Sequence, residues 1–451
     1  MRAFSSVPAA LTRYGLLFAA LIGAWCLGPA RPALATGFYV PQQTAYGAGR
    51  ANAGNAAMAA EASTVFFNPA GMTRLDGAEV LLGVNVVTPS DDLSNRGTTL
   101  SAPATGGVPA SVIGGTGRNP GAPTPVASLF YARPAGERLW FGVALTSPFG
   151  LRLEYDSDWF GRYDSVESEF KTIDLAPSLA WRLNDQLSVG AGLNIQYADA
   201  TLTNAVPNTL SPAAGNPATD GFSKLTGTDW VLGFNIGLLW SLTESTRVGL
   251  HYRSKMDHTL DGENNISGLT GPLAALNGSF DTRMRLSLPA VLSAGIAHEF
   301  GPRTTLLGEA QWFGWSCFDD LRIQYDNGTP SILLSQDYRD TYTLSTGIEH
   351  RWRDAWTLRA GVQYDRTPTQ DRERNTAVPD ANRLWTAVGF SYRFTERTEV
   401  SVAFQHVFFD QGEIDNDRGY FGGTPIAGTV TTRARVDAMV NTLSLALRYA
   451  L

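Results

Sequence analysis

Residues 187–197 read Leu-Ser-Val-Gly-Ala-Gly-Leu-Asn-Ile-Gln-Tyr, apolar at every odd position and small or polar between. Coiled as a helix, this stretch would scatter apolar groups around the whole cylinder. Extended, it puts Leu187, Val189, Ala191, Leu193, Ile195 and Tyr197 on one face and Ser188, Gly190, Gly192, Asn194 and Gln196 on the other, because successive side chains alternate along a strand. The C-terminus repeats the pattern, with Leu443, Leu445, Leu447, Tyr449 and Leu451 alternating with Ser444, Ala446, Arg448 and Ala450. Segments of about ten residues with this period, separated by turn residues, predict an all-β transmembrane barrel.

The N-terminus reads as a secretory leader. Arg2 and Arg13 supply positive charge, Tyr14 to Leu27 is apolar, and Ala33-Leu34-Ala35 is an A-x-A cleavage site, so residues 1–35 are expected to be removed. Trp25 precedes Cys26 where a lipoprotein site needs a small residue. Nothing later approaches the ~20 apolar residues of a membrane helix.

Lys and Arg number 35 against 42 Asp and Glu, a formal charge of −7. Loss of Arg2, Arg13 and Arg31 with the leader brings it to −10, which argues against nucleic acid as a partner. Only Lys171, Lys224 and Lys255 are lysines. An arginine bias suits phosphate groups of outer-membrane lipids, although genome composition explains it equally well. Cys317 would be left alone, a thiol among aromatics expected to be buried rather than reactive. His251, His258, His298, His350 and His406 are dispersed without a ligand pair, so no metal and no cofactor is expected. Asp415-Asn416-Asp417-Arg418-Gly419 has glycine where a calcium loop needs its third ligand, and is read as a solvated loop. No G-x-S-x-G or P-loop occurs, and the chain is not expected to be an enzyme.

Turn chemistry after Gly77 is regular. Six short connections fall at 134–137, 184–185, 243–244, 301–302, 353–354 and 395–397, and seven long ones at about 90–124, 149–169, 201–227, 258–283, 316–339, 366–383 and 411–433. Thirteen connections make a fourteen-stranded antiparallel barrel over 78–451, both ends lying on the short-turn, periplasmic side. Within strands, charges oppose aliphatics, as in Arg247, Gly249, His251 and Arg253 against Thr246, Val248, Leu250 and Tyr252. This suits a polar lumen and a lipid-facing exterior. Trp140, Trp181, Trp240, Trp352, Trp356 and Phe394 lie near short turns, and Trp230, Trp312, Trp315 and Trp385 near long loops. They read as two interfacial girdles or, alternatively, as scattered core aromatics.

Fourteen strands enclose more space than their own side chains fill. Residues 36–77 lack alternation, are rich in Ala and Gly and contain the turn former Asn68-Pro69-Ala70. They form either an N-terminal hatch (plug) inside the lumen or a periplasmic tail. Pro148 removes a ladder donor and Gly150 permits irregular dihedrals, so the third strand either kinks there or ends.

Several pieces together resemble the FadL-type outer-membrane transporters of long-chain fatty acids and hydrocarbons. They are Thr36-Gly37-Phe38, Phe67-Asn68-Pro69-Ala70-Gly71-Met72, Ser147-Pro148-Phe149-Gly150, the run from Asp174 to Leu183, Leu358 to Asp365 followed by Thr367-Pro368, and Pro379-Asp380. The resemblance implies a fourteen-stranded barrel with an N-terminal hatch. It also implies a hydrophobic ligand caught by outer loops and released sideways into the membrane through a kinked third strand. On it, Phe38 enters the binding pocket, Pro148, Phe149 and Gly150 form the kink, and Asn68, Pro69 and Ala70 lie beside it.

Two loops are apolar enough for outer capture. One carries Val206, Leu210 and Phe222; the other carries Ile266, Leu269, Leu273, Leu276 and Phe280, with a short helical turn expected over Leu269–Leu276. Both could equally pack only on themselves. The sequence departs from the family pattern at its end, Leu451, where an aromatic usually completes the assembly signal, and at Asp199, where fatty-acid members carry a lumenal basic residue. A carboxylate in an apolar pocket needs a cationic or hydrogen-bonding partner; Arg247, Arg253, Lys255 and Arg359 are the candidates for the ligand pocket, and without one a neutral hydrocarbon is favoured. The expected activity is passive uptake of hydrophobic small molecules, by a monomer surrounded by outer-membrane lipids and with no nucleic acid. The alternatives are a general diffusion porin with a polar water-filled pore and a membrane hydrolase.

Overall fold

A computed structural model of the chain describes residues 37–327 and 331–451; the expected leader lies outside the described residues. Fourteen staves make one antiparallel sheet. They are β1 Glu79–Asn95, β2 Thr124–Pro134, β3 in two pieces (Leu139–Thr146 and Gly150–Glu154), β4 Glu167–Arg182, β5 Leu187–Val206 and β6 Gly221–Ser241. Then come β7 (Thr246–Arg253 and Met256–Ser267), β8 (Gly278–Leu288 and Val291–Phe300), β9 (Thr304–Phe313 and Asp320–Tyr325) and β10 (Ile332–Ser335 and Thr341–Arg353). The last four are β11 Trp356–Asp365, β12 Arg383–Arg393, β13 (Thr398–Phe409 and Gly412–Tyr420) and β14 Gly428–Ala450. β1 pairs β14 from Glu79↔Ala450 to Asn95↔Ala434 and closes the barrel. Closure leaves no sheet edge, which is how strands satisfy their backbone groups in hydrocarbon.

Alternation sets the two surfaces. In β5, Ser188, Asn194 and Gln196 are buried inward, whereas Leu193 is 60% exposed; on β6, Leu232 is 73% exposed. Outward leucines in such a wall face lipid rather than water. Trp181, Trp240, Trp352 and Phe394 are exposed near the short turns, and Trp230 and Trp312 near the long loops. Trp140, Trp315 and Trp385 depart from the expected girdles: all three are buried, Trp140 and Trp385 on the inward phase of their strands and Trp315 on a 3-10 turn. Proximity to a strand end does not specify which face a residue occupies; strand phase does.

Several of the long connections are shorter than the sequence suggests, those read as 149–169, 201–227, 258–283 and 411–433 shrinking to residues 155–166, 207–220, 268–277 and 421–427. Their flanking strands rise above the bilayer, where both faces can be polar and the hydropathic alternation vanishes while backbone pairing continues. The expected helical turn is a 3-10 helix at Gly271–Leu276.

The N-terminal segment lies inside the barrel. It carries short helices α1 Ala45–Ala48, α2 Asn55–Met58 and α3 Thr64–Phe67, then a 3-10 turn at Pro69–Arg74. Every residue from Gly37 to Leu75 is buried except Ala60 and Arg74. Its polar groups bond to the wall: Ala56 N donates to Glu309 Oε2 at 2.9 Å, Tyr46 Oη to Glu399 at 2.8 Å and Asn52 to Gln363 at 3.2 Å. Arg359 Nε donates to Glu349 at 2.7 Å, and Arg50 completes this buried cluster 3.7 Å from the same carboxylate. Two inward wall positions must be glycine for this approach, because a Cβ at Gly249 would overlap Ala56 O and one at Gly237 would overlap Asn68 Oδ1.

Gly249→Leu is therefore expected to leave barrel assembly intact but unseat α2. Planar-bilayer recordings of the wild-type protein should show no large steady current, and the variant should show an added open level. A large steady current through the wild type would instead support the porin alternative.

Candidate functional site

The lumen divides into two chemically different halves. Beside the N-terminal segment its lining mixes buried polar and charged groups, such as Glu309, Gln363 and Glu399, with alanines and a few larger apolar residues such as Phe130 and Trp140. Toward the long loops it is apolar, formed by Leu151 and Leu153 of β3, Phe170 of β4, Met256 and Leu260 of β7, and Met284, Leu286 and Leu288 of β8, among others. The polar lumen expected from the lower strands thus holds for one half only. The reversal was legible in part: inward residues are odd-numbered from Arg247 to Arg253 and even-numbered from Met256 to Leu260. Between the paired residues Arg253↔Asn235 and Asp261↔Thr228, β7 has one residue more than β6, a bulge that flips the phase.

Phe38 stands at the base of this apolar chamber. Its ring makes edge contacts with Trp315 at 4.7 Å, Phe170 at 5.5 Å and Phe318 at 5.6 Å. Trp315 and Phe318 sit where β9 is interrupted and turns inward. Nearby Cys317 is half-buried, its thiol directed at Ser287 O.

β3 is irregular at Ser147-Pro148-Phe149. Thr146 pairs Asp174 and Gly150 pairs Lys171, so three residues of β3 face two of β4. This one-residue excess bends a strand. Beyond Leu145, β3 no longer pairs with β2, whose residues Thr124–Ser128 pair β1 alone. The N-terminal segment occupies the opening: Val40 N donates to Pro148 O and Gly150 N to Phe38 O, both at 2.8 Å. Gln43 Nε2 adds a bond to Ser147 O at 3.1 Å.

Asn68, Pro69 and Ala70 do not lie beside this kink. Asn68 Nδ2 donates to Leu238 O on β6 at 3.0 Å, and Ala70 abuts Gly190 of β5. Gly190 is level with Ala180 and Trp140, near the short turns and seven residues before Ser147. The small side of the Asn68-Pro69-Ala70 turn seats against two wall glycines, which the kink does not offer.

Three of the four candidate cations lie away from the apolar chamber, and Arg253 lines a small cavity at its lower edge with Tyr39, His251 and Val291. Arg247 pairs with Glu299 at 2.7 Å, two residues into β7. Arg253 pairs with buried Asp174 at 2.7 Å and lies over Phe66, 4.3 Å from its ring centre. Lys255 faces outward to Asp257 at 2.9 Å, and Arg359 belongs to the Glu349 cluster beneath α1. Buried charges are held by partners, and each of these has found one. Asp199 also departs from its expected lumenal place: it is on the outward phase of β5, 3.3 Å from Lys171.

The segment 366–382, read as an outer loop, folds inward. Asp380 accepts from Gly37 N at 3.3 Å, from Thr367 Oγ1 at 2.6 Å and from Arg383, while Arg383 Nε lies 3.5 Å from Asp365. Tyr155 Oη bonds to Thr376 O at 2.9 Å. Sequence reasoning placed Asp380 only by family likeness, because polarity alone made the segment look solvated.

Over the chamber, Val206, Leu269 and Leu273 are buried together, with Leu210, Ile266 and Leu276 packed against them. Phe222 and Phe280 do not join this cluster. Phe222 is paired opposite Ser267, and Phe280 is packed edge-on to Tyr325, because both lie on strand extensions rather than on loop tips.

Residues 28–450 match the family described as outer membrane protein transport protein (OMPP1/FadL/TodX). The chain belongs to this family. It is similar to the long-chain fatty acid transport protein of Escherichia coli O6:H1, at 26% identity over 84% of this chain and 90% of that one. The 47 kDa outer membrane protein of Pasteurella multocida is 29% identical over 83% and 88%. Among solved structures, a Pseudomonas aeruginosa FadL homologue superposes with a TM-score of 0.82 at 26% identity, over 92% of this chain and 99% of that one. The Ralstonia pickettii toluene transporter TbuX, at 18% identity and a TM-score of 0.64 over 92% and 99%, shares the fold. This FadL-type chain is thus a fourteen-stranded barrel of the outer membrane.

Because Asp380 ties Gly37 to the inward segment, Asp380→Ala should loosen the N-terminus at a cost of about 1–3 kcal/mol, the value of a buried hydrogen-bonded group. Faster amide exchange at Phe38–Val40, read by mass spectrometry with α1 to α3 still protected, checks it.

Proposed function

We propose that this transporter takes up hydrophobic molecules, long-chain fatty acids or hydrocarbons, passively and as a monomer. They enter past the apolar cluster at Val206, Leu269 and Leu273, occupy the chamber above Phe38, and leave sideways between β2 and β3. The carrying observation is the unpaired stretch of β3 after Leu145, covered from inside by Phe38–Val40. Sideways release matches the chemistry: an apolar solute moving from chamber to bilayer never re-enters water, so its own gradient and its preference for apolar surroundings drive the passage.

The buried N-terminal segment supports the role of a hatch and disfavours a wide polar porin, because its groups are bonded into the wall throughout the lower lumen. The printed functions of the relatives are transport, which weighs against a hydrolase.

Deleting Pro148 removes the extra residue and lets β3 pair β4 one-to-one. Uptake of radiolabelled substrate by expressing cells should fall to the level of cells lacking the protein, while heat-modifiable mobility on gels shows an assembled barrel. Unchanged uptake would refute the lateral exit.

A further inference from the structure

Arg285 of β8 and Arg322 of β9 stand directly opposite each other in register, both on the outward phase of their strands. Directly opposed positions bring Cβ atoms within about 5 Å, and like charges placed so repel. On the same two staves Trp312 and its partner Leu292 face lipid nearer the short turns. The two arginines therefore lie on the loop side of the outer aromatic girdle, at the depth of the outer leaflet's head groups.

The carboxylates around the pair are committed elsewhere. Asp261 and Asp326 hold Arg283 at 3.1 and 3.4 Å, while Asp257 holds Lys255 at 2.9 Å and accepts Ser287 Oγ at 2.6 Å. Asp320 precedes Arg322 by two residues on the same phase, yet it pairs with neither arginine. Among the described residues, neither guanidinium has an ion-pair or hydrogen-bond partner. Thr259, opposite Arg285, and Leu333, opposite Arg322, border the pair on its two sides and bring no negative charge. A lone exposed arginine is satisfied by water. Two opposed ones, on a wall set among lipid head groups, are stabilised by an anion placed between them.

We propose that Arg285 and Arg322 form a site on the outer wall for the phosphate group of an outer-leaflet glycolipid. The phosphate oxygens accept from both guanidiniums, whose planar forks suit bidentate bonding to phosphate. The bound lipid turns a repulsive pair into a clamp and fixes the loop-side ends of β8 and β9 in the head-group layer. This site lies outside the lumen and does not depend on the transport reading above.

The test titrates the full chain, purified as an assembled barrel in mild detergent, with diphosphoryl lipid A and with lipid A stripped of both phosphates. EDTA keeps divalent cations from bridging phosphate to the nearby acids, and native mass spectrometry reads the bound lipid. The wild type should bind the phosphorylated form about tenfold more tightly or better. Arg285→Gln with Arg322→Gln should weaken that binding roughly ten- to hundredfold, as loss of hydrogen bonds to a charged group predicts. Binding of the stripped lipid should stay within about twofold. Arg322→Lys keeps the charge but not the fork and should fall between. Arg353→Gln, which removes one charge at the short-turn end of β10, should bind as the wild type does. Heat-modifiable mobility shows that each variant is an assembled barrel. Binding of neither lipid, equal binding of both by the wild type, unchanged binding in the double variant, or an equal loss in Arg353→Gln would each overturn the proposal.

Discussion

A strand in hydrocarbon cannot leave its amides and carbonyls unbonded, and β3 breaks that rule unless something else pairs with it. After Leu145 it loses β2, and at Phe149 an extra residue swings it inward. The missing partners come from Phe38–Val40. The same three residues carry the ring at the base of the apolar chamber, so one short segment contributes to both the chamber and the wall. Because Gly37 is also bonded to Asp380 of the inward loop, that segment joins the floor of the chamber, the wall opening and the loop region.

The division of the lumen follows from where backbone-rich and side-chain-rich elements meet. Short helices cannot satisfy their own ends, so Glu309 of the lower wall accepts the first-turn Ala56 N–H of α2, while Gln363 and Glu399 bond the side chains of Asn52 and Tyr46. Above the N-terminal segment, methionine, leucine and aromatic side chains make up much of the lining. The bulge in β7 and the break in β8 mark the boundary. Each shifts strand phase so that residues above it turn apolar faces inward instead of toward lipid.

Much of this was legible in the residues. The alternation at Leu187–Tyr197 identified wall strands, and turn chemistry counted them correctly. Ser147-Pro148-Phe149-Gly150 marked the irregular point, since proline and glycine act through local backbone chemistry alone. Four arginine and lysine candidates illustrate the opposite case. Arg253 and Arg359 do face inward, as their phase required, but which carboxylate neutralises each depends on Asp174 and Glu349, residues brought near only by closure of the sheet. Asp199 was misplaced for the same reason that Trp385 was: the phase of a strand had to be known, not merely its existence.

Period-two hydropathy, a leader-like N-terminus and spaced turn residues therefore determine, by themselves, a membrane barrel of this size. These are short-range properties, set by which side chain follows which. The tertiary structure alone decided that Phe38–Val40 completes β3, that segment 366–382 folds inward, and that Arg285 and Arg322 stand opposed on the outer wall. Those facts depend on stave register around a closed circle, and register couples residues hundreds of positions apart through backbone bonds that no local pattern encodes.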